Sequence, residues 1–291
     1  REWADVAAEA SDTESKVHVG TVFGICVEKG SELEANDPER KFKGRYVFQG
    51  NRVKDEYSET SLFNELGSSP ASMEASKAVD ADGLLPGHCI QQADAQQAYT
   101  QAMLGDKIPG SKSQAPCQAT VKTWVRLPPE CRTPEMAKMR DPVVPLIRAL
   151  YGHPDAGTFW EAHCDAALKK CGFTPIIGWS SCYFHDKYRL ILTVYVDDFK
   201  LSGPKDHLRI GWEWIRQVGK FDIEDPKGAD LYLGCLHETG ETSATLTDGT
   251  EKTVRTMCYN MEGQLKQCIE RYQKMALELT GKPVKLKQVS T

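Results

Sequence analysis

The sequence predicts an α+β protein, an antiparallel sheet backed by helices, on three observations. The first is Leu190–Gly203, where Leu190-Ile-Leu-Thr-Val-Tyr-Val196 and Phe199-Lys-Leu201 flank two adjacent carboxylates, Asp197 and Asp198. Aliphatic, β-branched and aromatic residues suit a buried strand, so strand, Asp-Asp, strand reads as a hairpin with the acids at its tip. The second is a set of further strand-type runs at 17–27, 44–49 and 88–94. The third is helical periodicity over 158–171, 205–218 and 262–280.

Taken in order, residues 1–15 are acidic and predict a frayed tail or a short helix. Val17–Val27 and Gly44–Gln49 predict an antiparallel pair, joined by a polar loop over Glu28–Lys41. Lys43 and Arg45 are two apart in an extended segment, so their side chains share a face that can grip a polyphosphate. Ala71–Asp82 is Ala-rich and helix-favouring before Gly83. His88–Asp94 predicts a strand that ends on a carboxylate, followed by a turn and a helix start, a setting suited to metal and phosphate. Leu104–Thr120, rich in Gly, Pro and Ser, predicts a long loop, and Thr123–Leu127 a short strand closed by two prolines.

The helix expected over 158–171 carries Trp160, His163, Cys164, Ala167, Leu168 and Cys171 on one face, with His163 as a core or edge residue. The next, over 205–218, has a stripe of Leu208, Gly211, Trp212, Ile215 and Val218. Asp230–Leu236 predicts a strand, 242–260 a hairpin, and 262–280 a helix whose apolar face is Leu265, Cys268, Ile269, Tyr272, Ala276 and Leu279.

The totals exclude little. Net charge is −5 over 291 residues, but residues 1–40 hold ten acids against four bases and residues 264–291 six bases against two acids. Local basic surfaces are therefore compatible with a negative whole. No apolar run approaches the roughly 20 residues needed to cross a bilayer, so no membrane partner is expected. No signal peptide is visible, and the start at Arg1 suggests a fragment of a longer product. The ten cysteines form no CxxC pair, which predicts reduced thiols and no zinc site.

Two adjacent anions on a rigid, partly desolvated tip repel each other and call for a hard cation, with Mg²⁺ the best match for carboxylate oxygen. Six segments, in order over about residues 40–236, carry a resemblance. Lys43-Gly-Arg-Tyr-Val-Phe-Gln-Gly50, Gln92-Ala-Asp94-Ala-Gln-Gln-Ala-Tyr99, Trp124-Val-Arg-Leu-Pro-Pro129, Leu150-Tyr-Gly152 through Trp160, Tyr195-Val-Asp-Asp198 and Leu231-Tyr-Leu-Gly234 are similar to motifs of one family. The chain resembles the reverse transcriptase of copia-type LTR retrotransposons. Its departure is His153-Pro-Asp-Ala-Gly157 in place of the family's L-K-Q-S-P, which puts Asp155 where the family has Gln.

The resemblance implies a right-hand polymerase: an acidic extension over 1–40, fingers over 41–93 with parts of 120–157, palm over 94–236, and a partial thumb or connection over 237–291. It implies RNA-directed DNA polymerisation with two Mg²⁺ ions, or Mn²⁺, held by Asp94 and Asp197 with Asp198 in support. Lys43 and Arg45 would hold the dNTP phosphates, Ala95 and Gly152 would border the nucleotide, and Tyr99 would press a ring against its sugar. Tyr195, Val196, Leu233 and Gly234 would set primer and template. The implied partners are an RNA template, a DNA primer, dNTP and other products of the polyprotein, in cytoplasmic virus-like particles or the nucleus. The alternative is a catalytically impaired or co-opted descendant that folds and binds nucleic acid.

Overall fold

In a computed structural model the acidic N-terminal segment is ordered by burial. Residues 1–31, 36–38, 40–61, 63, 69–104 and 121–287 are described. Trp3, Val6 and Ala10 recur at helical spacing in helix α1 (Trp3–Asp12) and cluster with Val17, Val19, Trp124 and Val143. The segment is therefore a docked helix and not a frayed tail. Strands β1 (Val17–Lys29) and β2 (Lys41–Phe48) follow, then helix α2 (Met73–Gly83). The loop between β1 and β2 is shorter than the expected 28–41, and its residues 32–35 and 39 lie outside the described set. Strand β3 (His88–Asp94) occupies the expected span and leads to a four-residue helix, α3 (Ala98–Gln101). Beyond Leu104 the loop expected to 120 lies outside the described residues.

Strands β4 (Lys122–Arg126) and β5 (Val144–Pro145) precede helix α4 (Ala156–Lys170). A meander follows of β6 (Thr174–Pro175), β7 (Cys182–His185), β8 (Leu190–Tyr195) and β9 (Asp198–Pro204), leading into helix α5 (Lys205–Gln217). Strands β10 (Lys227–Gly228) and β11 (Leu231–Tyr232) are short, β12 (Cys235–Thr245) and β13 (Glu251–Asn260) are long, and helix α6 (Glu262–Thr280) follows them.

Among the described residues the strands make three sheets. One has the order β2-β1-β4-β5, with β1 antiparallel to β2 and parallel to β4. The largest is wholly antiparallel, in the order β10-β3-β9-β8-β7-β6. The third is β11-β12-β13. The large sheet is covered on both faces. Leu190, Leu192, Phe199 and Leu201 pack with Leu168, Leu208, Trp212 and Ile215 of α4 and α5. Each such side chain contributes roughly 1.5–3 kcal/mol relative to exposure. On the other face Lys200 and Ser202 meet α2, and that face is polar although buried.

Two expectations require correction. Asp230–Leu236 is not one strand, because Leu233 (φ 49°) and Gly234 (φ 79°) turn the chain back so that Tyr232 pairs with Cys235. Two consecutive positive φ values are those of the type I′ turn, which matches the twist of a hairpin. The stripe of α5 stops at Ile215, since Val218 lies past the helix end and is 44% exposed. Helix α6 has the expected bounds and no buried residue. Among the described residues no helix is long and apolar enough to cross a membrane.

Candidate functional site

The tip of the β8–β9 hairpin is a two-residue turn, Val196-Asp197, closed by the pair Tyr195–Asp198. Only the first of the two central residues has positive φ, Val196 at 56°, as in a type II′ turn. For a β-branched residue this conformation is strained by about 1–3 kcal/mol, so its surroundings must hold it. They do so at both carbonyls of the turn. Trp160 Nε1 donates to the Val196 oxygen at 2.6 Å, and the Ala95 N–H donates to the Asp197 oxygen at 2.7 Å. Trp160 is itself buried, stacked on His163 and edge-on to Phe221. Replacing Trp160 with Phe keeps the packing but strands a buried carbonyl on a strained turn. The expected loss is about 1–3 kcal/mol of unfolding free energy in urea titration; an unchanged stability would show that Trp160 does not hold the turn.

The register of β3 on β9 puts Asp94 opposite Asp198. Burial first, then the Asp94 and Asp197 carboxylates and a hydrogen bond with Asp94, push the Asp198 carboxyl up to about 7. Lys227 opposes the shift. Acids pressed together in this way share a proton or take up a cation. A strap from the chain after α5 braces the floor. Gln96 N–H donates to the Asp222 oxygen at 2.8 Å, and Glu224 N–H to the Asp94 oxygen at 2.9 Å. The Gln101 amide bonds both the Gln96 and Asp222 carbonyls.

Above this floor lies a cleft of about 990 Å³ lined by residues of β1, β2, the 94–100 segment, Leu150-Tyr151, Asp197 and Glu224. Its contributors include Asp94, Ala95 and Asp197 on one side and Lys29, Lys43 and Arg45 on another. Burial and the neighbouring Lys29 and Arg45 lower the Lys43 ammonium, while Asp197 and Glu224 pull it back. Arg45 stands over the Tyr151 ring, 5.1 Å from its centroid. A cationic wall facing a carboxylate floor suits a polyphosphate bridged to a hard metal ion.

The other expected residues sit apart from the cleft lining. Tyr99 packs edge-on against Tyr151 at 4.9 Å and borders a smaller cavity with Trp160 and Val196. Gly152 (φ 85°) lets the chain touch β2, for a Cβ there would lie 2.1 Å from the Phe48 oxygen. Its neighbour His153 is buried and pushed down to about 4 by that burial. Asp155 heads α4 without a side-chain cap and is raised by burial. Tyr195 is partly exposed beside the turn, and Leu233 and Gly234 form the β11–β12 turn next to Gln264.

Sequence reasoning missed Tyr151, Trp160 as a donor, and Glu224. Nothing in their local sequence marks them, although Tyr151 lies inside a motif already singled out for Gly152. The donor set of Asp94 and Asp197 fits Mg²⁺ or Mn²⁺ in its chemistry and in its crowding with Asp198. Among the described residues, however, no group of three or more His, Cys, Asp or Glu side chains converges as a ready-made metal cage. No protein-family model matches the chain, and no curated protein matches it.

Proposed function

We propose that this chain is an RNA-directed DNA polymerase of the copia retrotransposon type, extending a DNA primer on an RNA template with dNTP. One observation carries the reading: Asp94 and Asp197, remote in sequence, line one cleft with Lys43 and Arg45. In this reading the β2-β1-β4-β5 sheet acts as fingers, the six-stranded sheet as palm, and the C-terminal hairpin with α6 as a partial thumb on the duplex backbone.

Lys43 and Arg45 hold the triphosphate tail and aim the α-phosphorus at the carboxylate floor. Asp94 and Asp197 would hold Mg²⁺, or Mn²⁺, with Asp198 in support, and a metal bound there would supply charge neutralisation for the triphosphate and pyrophosphate and a lowered pKa for the primer hydroxyl. The bond from the 3′ oxygen to the α-phosphorus forms as the α–β anhydride breaks, and pyrophosphate leaves. Tyr151 in the cleft lining, with Tyr99 packed behind it, is assigned to the sugar side of the nucleotide, and Ala95 keeps Asp197 in place through its main-chain bond. Tyr195 and Val196 beside the hairpin tip and the Leu233-Gly234 turn are assigned to the primer and template. Other products of the same polyprotein would be its partners, in a virus-like particle or the nucleus.

The test is primer extension on an RNA template with Mg²⁺ and dNTP, wild type against Asp197→Asn. Equal, negligible extension by both proteins ends the polymerase reading. Asp155, standing where the family has Gln, favours one alternative, a descendant that keeps the fold and grips nucleic acid without catalysis. A mobility shift on an RNA–DNA duplex without extension would identify it. Replacing both Lys43 and Arg45 with Ala should raise the dNTP KM about tenfold or more, since each removes a charge-assisted contact; an unchanged KM removes them from the phosphate site.

A further inference from the structure

Along α6 the apolar residues recur at alternating steps of three and four: Leu265, Cys268, Tyr272, Met275 and Leu279. That is the a/d seam of a heptad, and it places all five side chains on one face. None of them is buried, and Leu265, Tyr272, Met275 and Leu279 are 50–83% exposed. Ile269 widens the stripe from a flanking position and is exposed as well. Two contacts of the helix lie beside the seam: Gln264 abuts Gly234 of the β11–β12 turn, and Gln273 donates to the Val284 carbonyl at 3.2 Å. Among the described residues no element buries any part of the stripe.

We propose that this face is the contact between two copies of the chain, with their α6 helices parallel and in register. Area, pattern and charge point to that occupant. The six side chains leave roughly 100 Å² each in water, so a pair of copies buries roughly 1,200 Å² and reaches the standard interface size. A 3-4 repeat is self-complementary, since each knob finds its hole in an identical helix. In the parallel pair Gln264 and Arg271, at g positions, meet Ile269 and Ala276 of the second copy at e positions, so no like charges are opposed. An antiparallel pair with the whole seam overlapped instead sets Arg271 against Arg271 of the second copy. Parallel register also brings Cys268, a free and exposed thiol, against Cys268 of the second copy. Lys266 and Lys274 stay on the opposite face, so pairing leaves the basic surface of α6 open and does not depend on the polymerase reading.

Sedimentation velocity on the whole 291-residue chain under reducing conditions is the first measurement. Wild type is expected to pass from monomer to dimer over roughly 1–100 μM, because an interface of this size does not by itself bind tightly. Tyr272→Lys combined with Leu279→Lys puts like charges into the seam and is expected to weaken dimerisation at least about tenfold. Both positions are exposed, so a thermal melt of that variant should match wild type, which separates lost pairing from lost folding. Diamide takes up the two protons and two electrons of a thiol pair. It is expected to cross-link wild type and Cys258→Ser but not Cys268→Ser, which still dimerises; this readout stands by itself should the lysine variant fail to fold. A wild type that stays monomeric throughout overturns the inference, as does a dimer that survives the seam substitutions. A dimer lost with those substitutions but never cross-linked through Cys268 overturns the parallel pairing. A monomer whose grip on an RNA–DNA duplex weakens in the seam variant assigns the stripe to nucleic acid and overturns the dimer.

Discussion

Asp197→Asn is expected to lower primer extension by at least about 10³-fold, because metal-borne stabilisation of transition-state charge is worth several kcal/mol and each ~1.4 kcal/mol is a factor of ten. The substitution preserves shape. The Asp197 carbonyl that accepts the Ala95 N–H is main chain and survives, as does the Trp160 bond to the preceding carbonyl. Folding should therefore remain, and the melting temperature should not fall. It also removes one of the two anions that raise Asp198, so the crowding at the tip eases. Steady-state extension with Mg²⁺, together with thermal melts of both proteins, separates lost chemistry from lost structure. Near-wild-type extension by the Asn variant would remove Asp197 from the catalytic role.

The second large effect is on stability, at a place away from the cleft. Lys200, on β9 two residues after Asp198, is completely buried. Its Nζ bonds both Asp80 carboxylate oxygens at 3.0 and 3.1 Å and Ser76 Oγ at 2.8 Å, and lies 3.3 Å from His237 Nε2. The ammonium stands 4.0 Å from the centroid of the Tyr232 ring, and Tyr259 donates to Asp80 at 3.0 Å. Burial lowers the Lys200 pKa and Asp80 opposes that shift, as expected of an ion pair held out of water. One pair thus ties α2, the six-stranded sheet and the C-terminal hairpin together.

Asp80→Ala leaves the ammonium buried without its counter-charge, and the expected loss is about 3–5 kcal/mol of unfolding free energy. The double variant Asp80→Leu with Lys200→Met replaces the pair by apolar groups and should recover most of that loss. Urea unfolding of the single and double variants decides the matter. A single variant within about 1 kcal/mol of wild type would show that the pair is not needed, since that is the range of surface ion pairs.

How much of this was legible in the sequence depended on whether the signal was local. Strand β3, the β8–β9 hairpin and helices α5 and α6 follow from apolar periodicity, which acts within a few residues, but β9 runs on through Ser202-Gly203-Pro204, where the sequence suggested a stop, because those residues pair with β3. Lys200 was hidden because one cation between Phe199 and Leu201 looks like any residue on the outer face of a strand. The turn at Leu233-Gly234 was hidden because Leu-Tyr-Leu-Gly-Cys-Leu alternates well enough to pass for a strand. The N-terminal helix was ambiguous because its acidic surface hides a three-residue apolar stripe.

The candidate site divides in the same way. Sequence alone determined its chemistry: adjacent carboxylates on a rigid tip, a third at the end of β3, and a pair of cations two apart on β2. Tertiary structure decided their arrangement. The parallel pairing of β1 with β4, the bonds that hold Val196 at positive φ, the Glu224 strap and the ring of Tyr151 between Arg45 and Tyr99 all join residues far apart in the chain. Such contacts leave no period or spacing in the sequence, because only the closed sheet and its packed helices bring the partners within bonding distance.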